Sequence, residues 1–242
     1  GILERAGLSN IMTNVTIRGG IGTQVLGFVI NLARYGDKIT SVSYNTGNYP
    51  AEQKKIMKAG SVQEYIDKCL DIIFPIEYNN VPNGKTILND ESIEHALKNI
   101  TRAIFFAGPK RAEGFDRPIL HVRKHDYDTL SDQSYFDLIT KYDCENIVTD
   151  SVDHCKKFGL NYTDEPENTI GDWLKLANSR TTCVGPFSTF TLMAAYFNPA
   201  LELKIVEPQE ANGHVWGGHE RIESGKRHLA LFVKHLSNVS YA

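Results

Sequence analysis

The alternation of short apolar runs rich in β-branched residues with amphipathic helical stretches constrains this chain more than any other feature. Residues 14–17 read as a strand, and residues 21–35 follow with apolar side chains at helical spacing, which makes a first βα unit. Residues 39–44 read as a second strand, 51–58 and 62–70 as helices, and 72–76 as a short strand; a helix over 92–99 and a strand over 103–106 follow. From Gly108 to Pro118 the chain carries Gly, Pro and charge without periodicity, the signature of a linker. A second alternation then begins, with strands over 119–122, 146–149, 182–184 and 203–206. Helices are expected between and after them, over 133–141, 152–158, 169–177 and 187–197, and an amphipathic helix over 221–236 closes the chain. Consecutive strands joined through helices pair in parallel, and a parallel sheet needs both faces covered. The expected class is therefore α/β, with one Rossmann-like domain over 1–112, a second over 113–242, and a cleft between their strand ends. One large sheet is the alternative. At 242 residues the chain can bury one sizeable core or two of roughly 120 residues each.

Charge narrows the partners. The net charge of −3 gives no global basic field, so neither nucleic acid nor an anionic membrane surface is expected, and any anion site must be local. The four cysteines, Cys69, Cys144, Cys155 and Cys183, form no C-x-x-C pair and have no metal-like spacing with His; they read as reduced packing residues. No apolar run approaches the ~18 residues of a membrane span, and residues 1–10 lack the apolar segment of a signal peptide. A cytoplasmic protein, or a soluble domain of a longer chain trimmed at its ends, is expected.

Five segments are candidates to carry chemistry. His121-Val122-Arg123-Lys124-His125-Asp126-Tyr127 lies at the C-terminal mouth of the strand over 119–122, where open α/β sheets bind ligands. A guanidinium there can grip a phosphate by two parallel hydrogen bonds, and the imidazole and carboxylate can serve a sugar hydroxyl or a proton transfer. Gly19-Gly20-Ile21-Gly22-Thr23-Gln24 joins the first strand to its helix; its glycines admit a ligand to the backbone and the helix start behind favours an anion. It fits neither G-x-G-x-x-G nor a P-loop, and taken alone such a turn is more often tight packing than a binding site. In the second half, Asp150 ends one strand and Ser188 and Thr189 follow another. Asp150 can read a base, hold a ribose or cap the next helix, with capping favoured for Asp150 alone; Ser188 and Thr189 can offer hydroxyls and helix-start N–H groups to a diphosphate, or cap. The late loop 212–219, with two His and Trp216, reads as a surface loop or a sugar-stacking cover.

Taken in order, Gly-Gly-Ile-Gly-Thr-Gln at 19–24, His-Val-Arg-Lys-His-Asp-Tyr at 121–127, Val-Thr-Asp at 148–150, and Gly185-Pro186-Phe187-Ser188-Thr189-Phe190 through Ala194-Ala195-Tyr196-Phe197-Asn198-Pro199 resemble the α-1,2-fucosyltransferases and their relatives. Those families carry Gly-Gly-Leu-Gly-Asn-Gln, His-Val-Arg-Arg-Gly-Asp-Tyr, a Ser/Thr-Asp-Asp strand end and Asn-Ser-Thr-Phe-Ser-Trp-Trp-Ala-Ala-Tyr-Leu-Asn.

The resemblance implies a GT-B fold and an inverting, metal-independent glycosyltransferase without a cofactor. Its donor would be a GDP or UDP sugar carrying a 6-deoxy-L-hexose, L-fucose or L-rhamnose, and its acceptor an oligosaccharide or other glycan. In that scheme Arg123 binds the β-phosphate, His121 lies against the ribose and Asp150 reads the base. Ser188 and Thr189 contact the diphosphate, Gly20, Gly22 and Gln24 line the opposite wall, and Lys124 sits beside Arg123 as a weaker phosphate grip. Asp126 is the favoured catalytic base, with Asp128 and His125 in the same loop. The chain departs from the family at Lys124 and His125, where the family has Arg and Gly, at Thr23 for Asn, and at Thr191 and Leu192 for the Trp pair. These departures leave the donor sugar and base open. Asp126-Tyr127-Asp128 also fits a metal-binding D-x-D. The alternative function is a non-catalytic carbohydrate- or nucleotide-binding module of a larger protein; a His/Asp hydrolase lacks a nucleophile elbow around Ser188.

Overall fold

The computed structural model describes residues 13–18, 20–35, 38–45, 77–80, 88–99, 113–124, 130–162, 169–208 and 218–242. The helices expected over 51–58 and 62–70, the strands over 72–76 and 103–106, Cys69, Gly19, His125, Asp126, Asp128, the linker over 108–112 and the loop over 212–217 lie outside the described residues.

Two parallel sheets organise the chain, and the described strands divide between them on either side of residues 81–118. The first contains β1 (Thr13–Arg18), β2 (Ile39–Asn45) and β3 (Glu77–Asn80), in the order β1-β2-β3. Helix α1 (Ile21–Tyr35) makes the crossover between β1 and β2, and α2 (Asp90–Lys98) packs on α1. The second sheet contains β4 (Ile119–Val122), β5 (Asn146–Thr149), β6 (Asn161–Tyr162), β7 (Thr182–Pro186), β8 (Glu202–Val206) and β9 (Val239–Tyr241). Its strand order is β6-β5-β4-β7-β8-β9, with every pair parallel. Counted from β4 this is 3-2-1-4-5-6, the doubly wound order of a Rossmann-like sheet, and it reverses direction between β4 and β7. The crossovers are α3 (Asp132–Tyr142), α4 (Val152–Cys155), α5 (Thr169–Ala177), α6 (Thr189–Phe197) and α7 (Gly218–His235).

Alternation along the buried strands builds two cores. Ile119, Val148 and Cys183 face one side of the second sheet, and Leu120, Val122, Ile147 and Val184 face the other. The second set packs with Tyr135 and Leu138 of α3 and with Phe158. The first joins a cluster that also takes in Val25 and Phe28 of α1, Val42 of β2, Ile93 of α2, Trp173 of α5, Leu192 of α6 and Phe232 of α7. The two sheets thus share one continuous core through α1, α6 and α7. Cys144, Cys155 and Cys183 are buried thiols inside these layers, and burial pushes Cys144 up to about 12.

Capping sets the helix starts more tightly than periodicity does. Asn89 accepts from the N–H of Ser92 and opens α2 at Asp90; Ser131 accepts from Ser134 N–H and opens α3 at Asp132. Ser188 does the same for α6, which begins at Thr189 and not at Phe187. The helix expected over 152–158 is α only to Cys155 and tightens into a 3-10 turn over Lys156–Phe158. Strands β3, β6 and β9, unforeseen in the sequence, are short; the Glu and Asn residues of β3 and β6 are poor strand formers, and each of these two strands pairs with a neighbour, β3 with β2 and β6 with β5. Among the described residues no helix is long and apolar enough to cross a membrane.

Candidate functional site

Ligands of doubly wound sheets sit where the strand order reverses, beyond the C-terminal ends of the two flanking strands. Here those strands are β4, which runs into Arg123, and β7, which runs into Ser188. Gly185 lets them approach: a Cβ on it would lie 2.3 Å from the His121 carbonyl oxygen. The His121 side chain, 6% exposed, then projects to the α6 side and lies parallel to the Phe190 ring, with centroids 6.1 Å apart and planes at 13°. In this arrangement His121 is a wall of the site more than a surface group.

Arg123 is fixed at both ends. Its Nη1 donates to Ser188 Oγ at 3.2 Å, while the hydroxyl of the fully buried Tyr135 lies 3.4 Å from both its backbone N and its backbone O. Ser188 Oγ also accepts the N–H of Phe190 at 3.2 Å, which caps α6. The guanidinium therefore stands beside the first turn of α6, where unsatisfied N–H groups and the helix dipole already favour an anion.

The first turn of α1 comes to the same point from the other sheet. Thr23 Oγ1 and Thr189 Oγ1 are 3.1 Å apart, and a Cβ on Gly22 would lie 2.3 Å from Phe190 N, so only glycine fits. Gly20, by contrast, faces open space: a Cβ there would meet nothing within 4 Å. Gln24 is buried, and its N–H closes the first turn of α1 on Gly20 O at 2.9 Å. Two helix N-termini and a guanidinium thus converge at the reversal point, a concentration of positive potential suited to a phosphate or diphosphate.

Lys124 and Asp150 sit close by but serve the loop. The backbone N–H of Lys124 donates to Asp150 Oδ1 at 3.1 Å, tying the end of β4 to the end of β5. Asp150 is exposed and gives α4 no cap, since the cap position belongs to Ser151 and carries no side-chain bond; the capping expectation for Asp150 is corrected accordingly. The Lys124 side chain is 11% exposed. It donates to Leu130 O at 3.0 Å, approaches Asp132 Oδ1 at 3.8 Å and lies 5.3 Å above the centre of the Tyr135 ring. Asp132 also receives His154 Nε2 at 2.8 Å and Lys157 Nζ. Burial opposes ionisation of Asp132, but the bonds from Lys157 and His154 outweigh it and lower its pKa.

Of the expected site residues, Arg123, His121, Gly22, Ser188 and Thr189 meet around one point, with Gly20 and Gln24 in the adjoining turn of α1. The Lys124 ammonium is engaged by Leu130 O and lies near Asp132, and Asp126 lies outside the described residues. Sequence reasoning gave no role of their own to Tyr135, to Gly185, quoted as part of a motif, or to Trp173, whose Nε1 donates to Phe190 O at 3.0 Å and steadies the first turn of α6. Nothing local marks these three, because each acts on a partner 12 to 64 positions away. Among the described residues no group of three or more His, Cys, Asp or Glu gathers as a metal would require. No family model, curated protein or solved structure matches the chain.

Proposed function

We propose that the protein is an inverting glycosyltransferase of the GT-B type that moves a 6-deoxy-L-hexose, L-fucose or L-rhamnose, from a nucleoside diphosphate to a glycan hydroxyl. The single observation that carries this reading is the convergence of Arg123 with the N-termini of α1 and α6 at the point where the second sheet reverses. In the reaction the acceptor oxygen attacks the anomeric carbon as the bond to the diphosphate breaks. The proton passes to a base, for which Asp126 is the candidate, and the nucleoside diphosphate departs with its new charge facing Arg123 and the α6 turn. Attack opposite the leaving group turns a β-linked donor into an α-linked product. The base and the sugar of the donor would lie toward His121 and Asp150.

A thermal-shift panel of GDP, UDP, GDP-fucose and UDP-rhamnose, each with and without EDTA, tests the reading. Ligand at 100 times its dissociation constant adds about 2.7 kcal/mol, and each kcal/mol raises Tm by about 2–4 °C in a chain of this size. The expected result is a shift selective for one nucleotide, unchanged by EDTA, with transfer to a glycan acceptor. A response lost with EDTA and restored by Mn²⁺ would favour the D-x-D metal reading. Binding without turnover would favour a carbohydrate- or nucleotide-binding module, and no shift with any nucleotide would overturn the transferase.

A further inference from the structure

We infer that Ser188 acts on a bound diphosphate through Arg123, as the residue that aims the guanidinium, and is not itself a ligand of the diphosphate. The inference rests on the diphosphate reading of the Arg123 site and refines it.

Ser188 is 1% exposed and so presents almost no surface to a ligand entering from solvent, whereas Arg123 beside it is half-buried. Two donors reach its hydroxyl oxygen, Phe190 N–H at 3.2 Å and Arg123 Nη1 at 3.2 Å, and occupy its acceptor positions; its O–H remains a donor, and burial is what keeps it from an anion outside. The same oxygen therefore starts α6 and fixes the tip of the arginine. Tyr135 fixes the other end of that residue through the Arg123 backbone. A long, rotamer-rich side chain held at both ends meets an anion already oriented, and the helix whose N-terminus completes the site is registered to it by one atom. The serine is thus a positioning residue.

The test is isothermal titration of the full chain with inorganic diphosphate, for wild type, Arg123→Ala, Ser188→Ala, Ser188→Thr and the Arg123→Ala/Ser188→Ala double variant. Ser188→Ala is expected to weaken binding by about tenfold, the scale of one hydrogen bond to a charged group. Ser188→Thr, which keeps the hydroxyl, restores it. In the Arg123→Ala background the serine substitution has no further effect, because the group it acts through is gone. An equal loss from Ser188→Ala in both backgrounds would make Ser188 a direct ligand and overturn the inference, as would wild-type binding by Ser188→Ala. If Arg123→Ala binds diphosphate as tightly as wild type, the diphosphate reading itself fails. Should loss of the cap prevent Ser188→Ala from folding, Ser188→Gly takes its place, since glycine is well tolerated at a helix N-cap and equally lacks the hydroxyl.

Discussion

At the scale of single residues, the site depends on one charge and the groups that hold it. Arg123 meets Ser188 at its tip and Tyr135 at its backbone, so replacing it removes a positioned cation without disturbing a strand. Electrostatic stabilisation of a departing anion is worth about 10²–10³ in rate. Arg123→Ala should therefore cut transfer by that factor at unchanged thermal stability, measured as initial rates with the donor that the shift panel selects; a variant retaining more than about a tenth of wild-type rate would remove Arg123 from the chemistry. Arg123 was legible in the sequence because a polar cluster follows an apolar strand. For Lys124, the next residue, adjacency along a chain leaving a strand says nothing about direction. Its ammonium is drawn to the Leu130 carbonyl, Asp132 and the Tyr135 ring, partners only the folded chain supplies.

At the scale of elements, the strands and helices that carry the cores were readable almost to the residue: α1, β4, β5 and α5 coincide with the runs expected for them. A parallel strand buried on both faces must be apolar throughout, and an amphipathic helix must repeat its apolar stripe, so burial itself writes the signal. The seam between α2 and α7 shows what periodicity leaves out. Asp90 pairs with Arg227 Nε at 2.9 Å and His228 Nε2 at 3.1 Å, while Glu94 meets Lys98 at 3.1 Å, Lys234 at 3.0 Å and His235 at 3.3 Å. Hydrogen bonds from Lys234, Lys98 and His235 hold Glu94 at about 2, against an ordinary 4.5. Its folded value is depressed, so its contribution to stability is complete above 4.5 and is lost as pH falls toward 2. His228 is also lowered, by burial first and by Arg227, with Asp90 opposing. Below 6.5 the unfolded chain takes up a proton that the folded chain resists, so stability falls there too. The urea midpoint should therefore drop in two stages on acidification. His228→Gln should reduce the stage below 6.5, and Glu94→Gln the stage between 4.5 and 2. An acid limb identical to wild type in Glu94→Gln would show that the seam does not couple to folding. High salt should shrink the Glu94 stage, because these pairs lie near the surface.

At the scale of the whole molecule, alternation along the chain gave reason to expect two domains, and the described strands do form two sheets. What local pattern did not reveal is that α1 of the first sheet and α6 of the second pack on each other inside one apolar cluster, closed at its far side by α2 against α7. Units joined through a small polar contact move and unfold separately, whereas a shared apolar core couples them. Each fully buried Leu, Phe or Val in that junction contributes about 1.5–3 kcal/mol, and Val25, Phe28, Leu192, Leu229 and Phe232 all lie in it. The junction also contains an optical reporter. Trp173 is fully buried and bonded to Phe190 O, and with only 2 tryptophans in the chain, Trp216→Phe leaves it as the single indole. Urea unfolding of that variant should give one midpoint and one slope, shared by indole emission from the junction and far-UV circular dichroism from helices on both sides. Two dichroism transitions, with the indole following just one, would mean that the sheets unfold independently and that the α1–α6 contact is a docking surface. A single transition would make the meeting of the two helix N-termini at Arg123 a consequence of folding, so that the proposed anion site would be assembled before any ligand arrives.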